Sequence, residues 1–480
     1  MLSKCNKIMH NSEGINATNC KDRLSELPDE VIVHILSFLP TVDAIRTMLI
    51  RCFRNLWTFV PTLKFDLDAY TNGMIRLNRC DDLWTINPLF GSEIQEYYDI
   101  HYSSDSDSGV IFWVFPRFSR FVRNVLTLHK GPTIDTFHIS IDQFPDDLFV
   151  QDVIDDVQTW LTFAIDKGVQ NLNFDFDSHD AIIPQCVFTS HSLVTLSLSD
   201  VKLEDQTQVH LRNLRKLSLF CVCGSDRAFQ QLISGCPSLL ELTIDNAIGM
   251  QILNVTSQSV SKLFLGVEDD PIALNTPALK MLDVVYPSSS SSYLLKVIDV
   301  SSLQEVNAKN LPCYGDQVTT FFSQFLSVEV FTLSHHSFSR LSLINTDYPQ
   351  NRWKRLVLHP CWYNVRCVQI IFGLVAASVE LEDLVIHSGY SSGNGKTRFI
   401  RPEISTCVMP LLKTVTIHRK ENCLVSQLKI VELLLANTIV LEKMVINFEK
   451  KQVTAVEENN FVEQVSRFRK ASTNATVVFA

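Results

Sequence analysis

Two rhythms of apolar residues divide the chain. Between Leu24 and Trp57 apolar side chains recur every three to four residues, the spacing of a helix face. Val31, Ile32, Ile35, Leu36 and Leu39 make the first run. Pro28 fits the first helical position, where its missing N–H costs nothing, and Asp29 and Glu30 suit the positive end of the helix dipole. Pro40 stops the run. A second helix is predicted from Thr41–Asp43, carrying Ala44, Ile45, Met48 and Leu49, and a third carries Phe53, Leu56 and Trp57. A segment of about 35 residues cannot bury that much apolar surface alone. It reads as a docking surface that another polypeptide covers in part.

From Ser192 the rhythm changes to a phrase of a lead residue, apolar, two variable, apolar, one variable, apolar. It runs SLVTLSL, NLRKLSL, SLLELTI, SVSKLFL, ALKMLDV, SLQEVNA, SVEVFTL, RWKRLVL, ELEDLVI, LLKTVTI and VLEKMVI, ending at Ile446. Its middle apolar residues are Leu196, Leu217, Leu242, Leu263, Leu282, Val306, Phe331, Leu356, Leu384, Val415 and Met444, spaced 19 to 31 residues apart. Earlier phrases surround Phe137 and Leu172. This spacing is that of leucine-rich repeats, in which each unit gives one short parallel strand and a return segment. Returns over Ser225–Ser234, Asp152–Lys167, Asp316–Phe325, Asn364–Ala377 and Ser426–Ala436 read as helices; the first has a Ser cap and ends at Gly235. No unit can bury its apolar face without neighbours, so a curved α/β solenoid is expected, parallel strands on the concave face and helices outside. Surface loops are expected at His101–Gly109, Ser288–Ser292 and Ser388–Thr397. In the aromatic stretch Val110–Arg120, Pro116 would start a helix, and Val125–Leu128 reads as the first strand.

LPDEVIVHILSFLP followed by FRNLW resembles the F-box, the module that joins a substrate receptor to a Skp-type adaptor and through it to a cullin. Where the family has Leu-Ser-Lys-Arg-Trp, this chain has Leu49-Ile50-Arg51-Cys52-Phe53, so Ile50 stands where a Ser would cap the third helix. The order of F-box, irregular repeats and the C-terminal phrases MPLLKTVTI, VLEKMVI and ATVVFA resembles plant F-box proteins that carry an FBD domain. The resemblance implies an α/β fold of three-helix F-box, repeat solenoid and closing FBD-type unit. The expected organisation is a flexible tail (1–20), the F-box (21–65), a connecting segment and cap (66–130), repeats (131–400) and the FBD-type region (401–480). It also implies that Leu27, Pro28, Val31, Ile32, Ile35, Leu36, Leu39, Pro40, Leu49, Phe53, Leu56 and Trp57 meet the adaptor. The implied function is substrate recognition in a ubiquitin ligase of the Skp–cullin–F-box type, in the cytoplasm or nucleus. The alternative is a non-catalytic repeat scaffold whose F-box has degenerated.

Composition trims the options. The chain has 480 residues, a formal net charge of −10 and a pI near 5.7, which gives no electrostatic footprint for nucleic acid. The apolar run Val368–Val379 is too short to span a bilayer and reads as a buried helix. Thirteen cysteines without a CxxC pair suit reduced thiols. GYSSGNGKT at Gly389–Thr397 has Tyr390 where a phosphate-binding loop needs Gly, and Pro402 follows too soon for the helix. No catalytic constellation, cofactor or resident metal is implied. The repeat register makes one further point. If Leu356, Leu384 and Val415 face the core, then His359, His387 and His418 project outward from three consecutive strands about 4.8 Å apart. With Arg355 and Asp383 they form the expected target-binding surface, whose histidines would make binding sensitive to pH.

Overall fold

The computed structural model describes residues 26–49, 53–71, 108–141, 150–176, 182–205, 207–266, 271–286, 295–311, 315–341, 348–360, 366–387, 409–419, 424–448 and 455–480. Residues 49, 108–114, 150–152, 315, 424–426 and 455–457 are described by their backbone alone. The chain divides into two compact units, Met1–His138 and Ile139–Ala480. The tail, most of the His101–Gly109 loop, the Ser288–Ser292 and Ser388–Thr397 loops, Ile50 and Cys52 lie outside the described residues.

In the first unit the leading helix is Asp29–Leu36. Pro28 sits just before it, and its carbonyl accepts from the N–H groups of Val31 and Ile32 at 3.0 and 3.2 Å. Pro40 does the same for the helix Thr41–Arg46, accepting from Asp43 and Ala44 at 2.9 Å each. Each proline therefore supplies a carbonyl to the turn that its own ring cannot prolong. The expected third helix is only the 3-10 turn Leu56–Phe59. The strand Thr62–Asp66 follows, and Lys64 N–H donates to the buried Thr41 hydroxyl at 2.7 Å.

Two expectations fail here. Pro116 lies inside the helix Ser108–Leu128, not at its start, and Val125–Leu128 is that helix's last turn, not a strand. Phe118, Phe121, Val122, Val125 and Leu126 are buried along one face, with Phe121 6.1 Å from Phe65 and Phe118 5.5 Å from Tyr70. Burying five large side chains, each worth roughly 1.5–3 kcal/mol, outweighs the roughly 3 kcal/mol that an internal proline costs.

In the second unit parallel strands follow one another in chain order, from Asn171–Phe176 through Thr195–Ser199, Lys216–Phe220 and Glu241–Asp245 to Lys262–Gly266. Met281–Val285, Glu305–Ala308, Val330–Leu333, Arg355–Leu358, Asp383–Ile386, Thr414–Arg419, Lys443–Phe448 and Thr476–Phe479 complete the series. Every middle apolar residue pairs with the next, from Leu172 with Leu196 to Val415 with Met444. All of them are buried.

The expected return helices are present at Val150–Asp166, Asp226–Ser234, Gly315–Ser323, Cys367–Ala377 and Leu424–Asn437. Ser225 caps the second, its hydroxyl accepting from Ala228 N–H at 3.2 Å. Their apolar faces meet the core side of the sheet: Phe322 lies 5.6 Å from Phe331 and 5.9 Å from Trp353. Between the repeats marked by Leu242, Leu263, Leu282 and Val306 the return is instead a strand. Leu253–Thr256, Ile272–Asn275 and Leu295–Asp299 form a second, three-stranded parallel sheet. These repeats are among the shortest. An extended return covers the core with fewer residues than a helix, which rises only about 1.5 Å per residue. Gln324 closes the outer edge by accepting from Val297 N–H at 2.9 Å.

Trp353 tests the packing. Its ring stacks on Phe331 at 4.1 Å and 11°, and Nε1 donates to the Phe325 carbonyl at 2.8 Å. Trp353→Ala is expected to destabilise the second unit by about 3–5 kcal/mol. Trp353→Phe, which keeps a ring and loses one hydrogen bond, should cost about 1–2 kcal/mol. Urea unfolding followed by far-UV circular dichroism measures both.

Candidate functional site

The leading helix is apolar on two faces. Ile32 and Leu36 turn inward, at 4% and 2% exposure, and with the buried Trp57 they hold the module together. Val31 and Ile35 turn outward at 41% each, and Phe38 one turn further on is 71% exposed. Positions 31, 35 and 38 follow the i, i+4, i+7 rule, so they form one continuous stripe. Pro28 and Pro40 are exposed at its ends, and Phe59 adds a further exposed ring.

This divides the twelve residues expected to meet the adaptor. Pro28, Val31, Ile35 and Pro40 are exposed; Leu27, Leu39, Phe53 and Leu56 are half-buried; the side chain of Leu49 lies outside the described residues. Ile32, Leu36 and Trp57 are corrected from contact to core, because a side chain sealed in its own chain offers no surface. Phe38, absent from the expected set, is the most exposed of the large apolar residues described. The same helical spacing that marks Val31 and Ile35 would have found it.

On the sheet's outward side the charges engage one another. Lys216 and Lys262 both reach Glu241, at 3.7 and 3.0 Å. Lys309 pairs with Asp283 at 3.0 Å. Arg355 pairs with Asp383 at 3.0 Å, and Thr414 Oγ1 donates to the same carboxylate. The two charged residues expected to meet a target are thus each other's partners, though both keep some exposure.

The three histidines stack as the register requires. His359 and His387 lie 4.2 Å apart at 6°, and His387 and His418 4.7 Å apart at 7°. Asn447, in register with His418, continues the row, its Nδ2 lying 3.5 Å from His418 Nδ1. Among the described residues, no group of three His, Cys, Asp or Glu is arranged to hold a metal ion. Burial, followed by the two flanking imidazoles, pushes His387 from the ordinary 6.5 down to about 4. Burial and then His418 also lower His359. His387 is therefore neutral between pH 6 and 8, and the expected sensitivity moves to acid. Below about pH 6.5 the unfolded chain takes up protons that the folded stack refuses. Stability contributed by the stack is complete above that pH and is lost as pH falls towards 4. His387→Asn is expected to lower the midpoint of acid unfolding relative to wild type; an unchanged midpoint would show that the stack carries no such linkage.

The comparisons with known proteins agree with this architecture. Residues 24–64 match the F-box domain model, and residues 157–315 match the repeat model described as "FBD-associated F-box protein At5g56370, LRR repeats". F-box/FBD/LRR-repeat protein At5g56420 of Arabidopsis thaliana is 25% identical over 96% of this chain and 99% of its own length. Putative F-box/FBD/LRR-repeat protein At5g22670 of the same plant is 24% identical over 95% and 97%. F-box/FBD/LRR-repeat protein At2g04230 is 30% identical over 55% of this chain and 53% of its own length. F-box domains generally bind Skp-type adaptors, and proteins joining them to leucine-rich repeats are generally non-catalytic adaptors, so this chain has a protein-interaction role. With an F-box match, an FBD-associated repeat match and similarity along nearly its whole length, the chain is similar in organisation to the F-box/FBD/LRR-repeat proteins.

Proposed function

We propose that this chain is the substrate-recognition subunit of a Skp–cullin–F-box ubiquitin ligase, acting in the cytoplasm or nucleus. The stripe Val31, Ile35 and Phe38 docks on the adaptor, which links the chain to a cullin. The repeat unit holds a target protein near a recruited ubiquitin-conjugating enzyme. Its contribution to ubiquitin transfer is then proximity.

The exposed stripe carries this reading. Its three side chains stay in water although their helix already buries a second apolar face. An apolar patch anchored by an aromatic ring is the usual centre of a protein interface.

Co-purification with a Skp-type adaptor tests it. Phe38→Asp or Ile35→Asp should weaken adaptor binding roughly a hundredfold, because docking would desolvate an unpaired carboxylate. The circular dichroism of either variant should match wild type. Leu36→Asp should lose the fold of the module together with the adaptor, because Leu36 is core. A wild-type chain that binds no adaptor would instead favour the scaffold reading, in which the repeats bind partners without ubiquitin transfer.

A further inference from the structure

At two places among the described strands of the main sheet, a phenylalanine stands in register with an aspartate of the next strand on the outward face. Phe264 of Lys262–Gly266 pairs with Asp283 of Met281–Val285. Phe220 of Lys216–Phe220 pairs with Asp245 of Glu241–Asp245. The first pair shows what such an arrangement holds. Lys309 Nζ lies 4.7 Å from the centre of the Phe264 ring and 3.0 Å from Asp283 Oδ2. Asn307, in register with Asp283 on the following strand, donates from Nδ2 to Asp283 Oδ1 at 2.7 Å. A ring face and a carboxylate together grip one cation, and each carboxylate oxygen receives a donor.

The second pair repeats the frame without the donors. The residue in register with Asp245 on the following strand is Gly266, so no amide corresponds to Asn307. Asp245 leans towards that strand as Asp283 leans towards its own, and its Oδ1 fills the space that a Cβ on Gly266 would need. Among the described residues, Asp245 has no ion pair and accepts no side-chain hydrogen bond, and no cation lies over the Phe220 ring. On the same face Glu241, Asp283 and Asp383 hold cations, and Glu305 accepts from Asn307. Asp245 is half-buried, yet neither of its oxygens is sealed from water, and Phe220 is 36% exposed. A carboxylate that has lost part of its hydration and gained no partner favours an arriving donor. Both halves of the grip are therefore open to a side chain from outside.

We propose that Phe220 and Asp245 bind an arginine side chain of the target protein, the guanidinium stacked on the phenyl ring and its forked N–H groups on the two carboxylate oxygens. The assignment rests on the reading of the repeat unit as the target-binding part of the chain. Arginine is favoured over lysine because one guanidinium supplies the two donors that Asn307 and Lys309 supply together at the other pair.

Saturation-transfer difference NMR of the full chain with Nα-acetyl-arginine methylamide tests the assignment, with the lysine and citrulline analogues run in parallel. Saturable binding of the arginine compound is expected, about tenfold weaker in Asp245→Asn and about threefold weaker in Phe220→Leu. The lysine analogue should bind more weakly, and the neutral citrulline analogue should not saturate. Glu442→Gln, which removes an exposed carboxylate at the rim of the same sheet, should change nothing. Circular dichroism should match wild type in all three variants. Equal affinity in wild type and Asp245→Asn would overturn the proposal. So would a lysine or citrulline analogue that binds as tightly as the arginine compound, or a loss in Glu442→Gln as large as in Asp245→Asn, which would mean a general attraction of cations to an acidic chain. Adaptor co-purification keeps the two readings apart. A chain that binds the arginine compound but no adaptor loses the ligase role and keeps this site; the converse loses this site alone.

Discussion

A parallel strand of four to six residues cannot hide its apolar side alone, and the repeat unit is built on that limit. Leu196, Leu217, Leu242 and the equivalent residues after them meet in one buried row because each strand lies in register with the next. Slipping one strand by a single residue would turn its apolar set to water and its polar set into the core. Register is thus enforced at every interface, while the segments between strands remain free to vary. That freedom explains how the same row is backed by a helix at Asp226–Ser234 and by a strand at Ile272–Asn275. The sheet asks only that something apolar cover it.

Register also organises the polar side. Residues of one position in successive repeats stand next to each other, so like charges would repel and opposite charges pair. Just before the strands, Glu329, Lys354, Glu382 and Lys413 alternate in sign, with Lys354 to Glu329 and Lys413 to Glu382 at 2.8 Å each. Such exposed pairs contribute little stability individually, but they remove the net charge from that rim. Where the position carries histidines, stacking replaces pairing, and neutrality is kept by holding His359 and His387 below the ordinary imidazole range.

The F-box solves the opposite problem. A helix there must hold its own small unit together and still present apolar surface. Ile32 and Leu36 do the first task; Val31, Ile35 and Phe38 do the second, on the other side of the same eight-residue helix and its C-terminal turn. Thr41 binds the module inward through Lys64, while the outward stripe stays exposed. The buried and the exposed apolar faces are separated by about a quarter turn of helix, so substitutions at adjacent positions should have different consequences.

By itself the sequence determined the class of fold, the row of buried residues from Leu172 to Met444, and the placing of His359, His387 and His418 side by side. Each follows from a local period repeated many times, and repetition makes even irregular phrases legible. The return helices over 225–234 and 367–377 were readable for the same reason. Tertiary structure decided what periodicity cannot rank. It placed Val31 outside and Ile32 inside, although both are apolar and both fit a helix, because only the packing against Trp57 and its neighbours chooses the face. It kept Pro116 within a helix, because burial of Phe118 and Phe121 exceeds the local cost. It made a second sheet of the short returns. These outcomes depend on free-energy differences between distant parts of the chain, which no single stretch of sequence contains.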